Sequence, residues 1–232
     1  MDAALHEKLM DIYNRLYRRY GPQRWWPGDG AFEVIIGAIL TQSASWTNVD
    51  KALDNLKTKG ILEPAALRMI PLEELASLIR PSVYFNAKAL KIKAFVERLG
   101  ERYNDDLDAM FRQDVSILRP ELLSIYGIGE ETADDILLYA AGKPIFVMDA
   151  YTRRILGRLE ITPAQDRYAS YQALFMDNLT HDAELFNEYH ALLDRHGVET
   201  CRKRGPLCSD CCLLEVCPTG ALQTAEKEQP SL

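Results

Sequence analysis

The stretch "LLSIYGIGEETADDILLYA", residues 122–140, decides how this chain folds. An apolar helical run ends at Gly127-Ile128-Gly129, and a second begins at once, with Leu137, Leu138 and Ala140 restoring the apolar face. Neither glycine carries a Cβ, so the chain can turn tightly and let another molecule approach its backbone. The second helix opens with amide N–H groups that lack intrahelical acceptors. Together with the positive end of the helix dipole they make a seat for a phosphate. Taken alone, the turn also fits a plain helix–turn–helix corner.

Outward from this hairpin the chain reads as helix after helix. Residues 4–19 place Leu5, Leu9, Ile12, Leu16 and Tyr20 at helical spacing, and Phe32, Ile35, Ile36 and Ile39 form another stripe. The stretches 47–58, 71–79, 86–103, 117–126, 131–140, 150–158, 166–178 and 183–195 follow the same period. Glycines and prolines separate them, and no period-2 strand series stands out. The expected class is all-α. The polar end of the chain, residues 221–232, is expected to be a flexible tail.

A length of 232 residues allows one large or two small domains, and 47% hydrophobic with 26% charged residues is ordinary for a globular protein. A formal net charge of −7 excludes a chain coated in positive charge for nucleic acid, so any such binding needs a local patch. No secretory leader and no membrane-spanning run is read, and a cytoplasmic protein is expected.

All five cysteines fall in "CRKRGPLCSDCCLLEVC", residues 201–217. In a reducing compartment such clustering points to metal or redox chemistry before disulfides. Cys201, Cys208, Cys211 and Cys217 read C-x6-C-x2-C-x5-C, which suits a tetrahedral zinc or an iron–sulfur cluster. Cys212 breaks the pattern and reads as a small side chain packed beside the site. Between hairpin and cysteines lies "VMDAYTRRI", in which Asp149 follows an apolar segment and opens a helix. An aspartate there is an ordinary N-cap. The same position also holds a carboxylate that can stabilise a developing cation or orient a water.

Together these residues resemble the endonuclease III branch of the helix–hairpin–helix (HhH-GPD) DNA glycosylases. The likeness extends through "GAILTQSASWTNVDKAL" (37–53) and "HGVETCRKRGPLCSDCCLLEVC" (196–217). It implies two helical lobes: a six-helix bundle over 31–142 containing the hairpin, and a second lobe of 1–30 with 143–220. It also implies double-stranded DNA as partner, a damaged base turned out of the duplex, and a chain acting as a monomer, associated with the nucleoid in a bacterium or archaeon. The cysteine loop then holds a [4Fe-4S] cluster and presents Arg202, Lys203 and Arg204 to the DNA backbone, alongside Gly127, Ile128 and Gly129. Asp149 becomes the catalytic carboxylate.

One departure from that family bears on the reaction. Its bifunctional members carry a lysine two residues after the second hairpin glycine, where this chain has Glu131. A carboxylate forms no Schiff base, so the expectation is a monofunctional enzyme that uses water and lacks efficient lyase activity, Lys143 being the nearest other amine in sequence. The segment "QRWWPGDGAFEVIIGAILTQSASW" resembles the type III 3-methyladenine glycosylases, whose likeness places Trp25, Trp26, Pro27 and Trp46 around the base. An alkylated purine suits an aromatic pocket, because its positive charge strengthens stacking. "IRPSVYFNAKALKIKAF" (79–95) is similar to the same subgroup, whereas the cysteine loop departs from it. Gln42 falls where the family fills the gap left by the extruded base. Competing readings are a uracil or thymine-mismatch glycosylase, a DNA-binding protein without catalysis, and a zinc-bound helical adaptor.

Overall fold

A computed structural model describes residues 1–26 and 28–228, the side chains of 226–228 excepted. Pro27, expected at the base pocket, lies outside the described residues, as do residues 229–232 of the expected tail. In chain order the helices are α1 (Ala3–Tyr20), α2 (Ala31–Thr41), α3 (Trp46–Thr58), α4 (Pro64–Met69), α5 (Leu72–Leu78), α6 (Phe85–Tyr103), α7 (Leu107–Phe111), α8 (Val115–Ser124), α9 (Glu130–Asp135), α10 (Ala150–Arg158), α11 (Tyr168–Met176), α12 (Ala183–Glu199) and α13 (Pro218–Glu228). No strand occurs among the described residues, so the fold is all-α. The chain divides into two compact units, Met1–Trp25 with Pro144–Leu232, and Trp26–Lys143.

The first unit is built on α12. Leu9, Ile12 and Leu16 form the buried stripe of α1, and the Tyr189 hydroxyl donates to the Leu9 carbonyl at 2.7 Å. The segment leading to Asp149 runs extended through this core. Phe146 stacks on Phe175 with centroids 3.7 Å apart and meets Phe186 edge-on at 5.5 Å. Such packing anchors the segment that leads into α10.

In the second unit α2 is the hub, with every residue from Glu33 to Leu40 buried. A helix apolar all round needs cover on all sides, and α3, α6, α9 and the turn after α9 supply it. Glu33 is the exception in chemistry, and Lys57 pairs with it at 2.7 Å. Lys88 of α6 is 2% exposed, and its ammonium donates to the Leu40 carbonyl at 2.8 Å and to that of Ser82. Burial lowers Lys88 to about 8.

Three differences from the sequence reading have local causes. Helices α4 and α7 were not expected, since five or six residues are too few to display a period. The expected helix 131–140 is α9 followed by a π-helical turn, Ile136–Ala140, in which the Ala141 amide reaches back to the Ile136 carbonyl. Residues 221–228, which show no clear period in the sequence, belong to α13. Pro218 starts α13 with its φ already set, and the Ala221 amide bonds to the Cys217 carbonyl.

Candidate functional site

The hairpin of the second unit turns at Gly127, whose φ is +78, a conformation that glycine adopts without strain. Ile128 is buried and plugs the turn, while Gly127 and Gly129 face solvent. The Ile128 amide donates to Ile125 within the turn, so a ligand meets the backbone of the glycines and of the α9 start. The methylene stem of Lys91 packs against Gly127 so closely that a Cβ there would clash with it. Gln42 sits on the same turn. Its amide donates to the Gly127 carbonyl at 3.3 Å and to Thr132 Oγ1 at 2.7 Å, and its oxygen accepts from Lys91. Glu131 lies exposed in the first turn of α9.

Two of the three tryptophans come together in this unit. Trp26 meets Trp46 edge-on, with centroids 5.2 Å apart, and tilts against Tyr139 at 5.2 Å. Gly37 on α2 makes the room: a Cβ there would stand 3.3 Å from the Trp26 indole. Trp25 is the last residue of the first unit's N-terminal segment. Tyr139 was missed by sequence reasoning, because only the π-helical turn sets it on the Trp26 face.

A second feature escaped notice. Val83 and Tyr84 have φ of +60 and +47 and expose 44% and 68% of their surface. Neither is glycine, so the backbone is strained to hold two apolar side chains outward. Lys88 ties this tip to the end of α2 through the Ser82 and Leu40 carbonyls.

In the first unit Asp149 caps α10. One carboxylate oxygen accepts from the Thr152 amide at 2.7 Å, and the residue is 8% exposed. The other oxygen makes no hydrogen bond among the described residues. His190 and Asp194 of α12 lie in its field: burial lowers His190 while Asp149 opposes that shift, and burial with Asp149 pushes Asp194 up to about 7.

The cysteine loop closes the unit. Cys201, Cys208, Cys211 and Cys217 line one pocket with Arg158, Leu207 and Leu214, whereas Cys212 does not. N–H groups already point at three of the sulfurs: Arg158 at Cys201 (3.1 Å), Leu213 at Cys211 (3.4 Å) and Gly220 at Cys217 (3.3 Å). Among the described residues no three His, Cys, Asp or Glu side chains stand in a metal-coordinating arrangement, so the four thiols converge on a space without presetting a coordination sphere. Burial raises the Cys211 thiol to about 11. Arg202, Lys203 and Arg204 are exposed. Arg202 donates to the Glu199 carbonyl at 3.1 Å, and Arg158 reaches the Lys203 carbonyl at 3.5 Å.

Residues 36–181 match the family described as "HhH-GPD superfamily base excision DNA repair protein". A protein of Methanocaldococcus jannaschii, provisionally named a DNA repair glycosylase, is 42% identical over 212 residues, 91% of this chain and 96% of its own. The 3-methyladenine DNA glycosylase of H. pylori, solved bound to 1,N6-ethenoadenine, superposes with a TM-score of 0.71 at 27% identity, covering 84% of this chain and 97% of that one. Endonuclease III, solved in a non-covalent DNA complex, has a TM-score of 0.82 at 22% identity over 95% of this chain and 98% of its own, a likeness of fold. With its hairpin, its carboxylate-capped α10 and its all-α architecture, this chain belongs to the HhH-GPD superfamily of base excision DNA repair proteins, as an endonuclease III-like glycosylase.

Proposed function

We propose that this chain is a monofunctional glycosylase that hydrolyses the N-glycosidic bond of an alkylated purine in duplex DNA and carries a [4Fe-4S] cluster. The observation that carries the reading is Asp149: one oxygen is fixed by the Thr152 amide and the other has no hydrogen bond among the described residues. A carboxylate so held cannot swing away, and its second oxygen is free to face a cation or a water. As the base leaves, the sugar gains positive charge, which the carboxylate stabilises. The cationic base leaves neutral with the glycosidic electron pair, and a water aligned by that oxygen adds to C1′ and gives its proton to the carboxylate. Glu131 offers no amine for a covalent intermediate, so the strand stays intact.

The aromatic group Trp26, Trp46 and Tyr139 supports a purine substrate, since a cationic alkylated ring gains from stacking on indole. The exposed Val83–Tyr84 tip suits an apolar contact with the base stack, and the hairpin glycines suit a phosphate. Four cysteines around one pocket, three of their sulfurs already approached by N–H donors, fit an iron–sulfur cluster better than a bare thiol cage. Its contribution is structural: when bound it fixes loop 201–217 and with it the exposed Arg202–Arg204 segment.

The test is a set of duplexes bearing 3-methyladenine, 7-methylguanine, uracil, a thymine–guanine mismatch or thymine glycol, with base release scored separately from strand cleavage. Release of methylated purines with intact strands is expected. Release of uracil or mismatched thymine in their place would assign a pyrimidine pocket, and no release from any duplex would point to binding without catalysis.

A further inference from the structure

We propose that His196 is a positioning residue for the iron–sulfur cluster: its Nε2–H donates to the Cys211 sulfur, and Tyr20 at the end of α1 fixes the ring in the tautomer that allows this. The inference rests on the cluster reading given above.

Four side chains of the first unit stand in one line. The Thr200 hydroxyl lies 2.9 Å from that of Tyr20, the Tyr20 hydroxyl 2.8 Å from His196 Nδ1, and His196 Nε2 3.6 Å from Cys211 Sγ. His196 is 1% exposed, and its carbonyl accepts the Cys201 amide at 2.7 Å. One residue thus reaches two of the four pocket cysteines, one through its backbone and one through its ring. Tyr20 is held as firmly. Its carbonyl accepts from Gln23 at 3.3 Å and from Arg195 at 3.4 Å. The Arg195 guanidinium lies 5.1 Å over the Tyr20 ring, which meets the His196 ring edge-on with centroids 5.9 Å apart.

Counting donors sets the direction of the line. A sulfur that ligates iron is a thiolate and can only accept. Nε2 must then carry the proton, and the neutral ring that burial favours has a single N–H. Nδ1 is therefore an acceptor, with the Tyr20 hydroxyl as its donor. Having given its one proton, that hydroxyl accepts from Thr200. All the donors point toward the loop, and each polarises the next. A protonated Cys211 gives a different order, since a thiol can pass its own proton to Nε2. Ligation at Cys211 and the tautomer of His196 are thus linked, and the link runs to a helix at the other end of the sequence. A donor on a ligand sulfur favours the reduced, more negative cluster and holds the ligand in place.

The full chain, purified anaerobically with its iron, tests this by voltammetry at an electrode and by iron loss to EDTA. His196→Leu should lower the ratio of reduced to oxidised cluster at a given potential on the order of tenfold, as loss of one charge-assisted hydrogen bond implies. That is a drop in midpoint of about 59 mV for one electron. Iron should also leave faster. His196→Gln, whose amide can take the place of Nε2–H, should stay near the wild type in both readouts. Tyr20→Phe should lower the midpoint by a smaller factor, and should lower it no further in His196→Leu, where no ring remains to be oriented. An unchanged midpoint in Tyr20→Phe, or an equal change in both backgrounds, would overturn the role. Should His196→Leu take up no iron, Tyr20→Phe against the wild type decides alone. A wild type without iron would instead refute the cluster reading, and this inference with it.

Discussion

The Gln42 side chain is hydrogen-bonded to the Gly127 carbonyl at 3.3 Å, across 85 residues of sequence. With Thr132 Oγ1 at 2.7 Å and Lys91 of α6 on its oxygen, both polar atoms of the Gln42 side chain are engaged, its amide on the hairpin. A glutamine that fills a gap in DNA must first leave these partners, so its move and the hairpin's order are coupled. The carbonyl it releases belongs to the turn proposed to hold a phosphate.

Gln42→Ala is therefore expected to loosen the hairpin in the free protein. Hydrogen exchange of the amides at 127–131 should speed up by about thirtyfold, as loss of the two hydrogen bonds to the hairpin at about 1 kcal/mol each implies. Binding to undamaged duplex should weaken by a smaller factor. Unchanged exchange would show that the turn is held by Ile128 and Lys91 alone.

The cysteine loop gives a sharper contrast, because Cys212 neighbours the other four without lining their pocket. Purified anaerobically, the protein should be yellow-brown with about four irons per chain. Cys212→Ser should keep the iron and Cys208→Ser should lose it. Zinc in place of iron, or equal loss in both variants, would count against the cluster.

Much of the architecture was legible in the sequence because helices announce themselves by period. The buried stripe Leu9, Ile12 and Leu16 of α1 is where spacing put it, as are Ile35, Ile36 and Ile39 of α2, whereas the burial of Glu33, Val34, Gly37, Ala38 and Leu40 around them was not read from the period. What stayed hidden depends on contacts between distant segments. Nothing local says that Lys88 will lie 2% exposed between two backbone carbonyls, since an isolated lysine reads as a solvated charge. Tyr139 joins Trp26 only through a π-helical turn that the residue types do not specify. Asp149 was visible as a cap, but the packing of α10 on α12, with Gly197 against Tyr151, was not. The strained Val83–Tyr84 tip was equally silent, as a positive φ in a non-glycine residue follows from the structure around it.

The reaction itself is the remaining expectation, and Asp149→Asn tests it with little change in shape. Asparagine can still cap α10 by accepting from the Thr152 amide, so the fold and binding to damaged duplex should persist. The charge is lost, however, and with it the stabilisation of a cationic sugar. Single-turnover base release should fall on the order of 10²-fold or more. In the wild type, borohydride should trap no enzyme–DNA complex, because the position two residues past Gly129 is Glu131 and carries no amine. Strands should break only after alkali or heat acts on the abasic site. Efficient trapping would show that another amine attacks C1′, and Lys143→Gln would then be the first variant to examine.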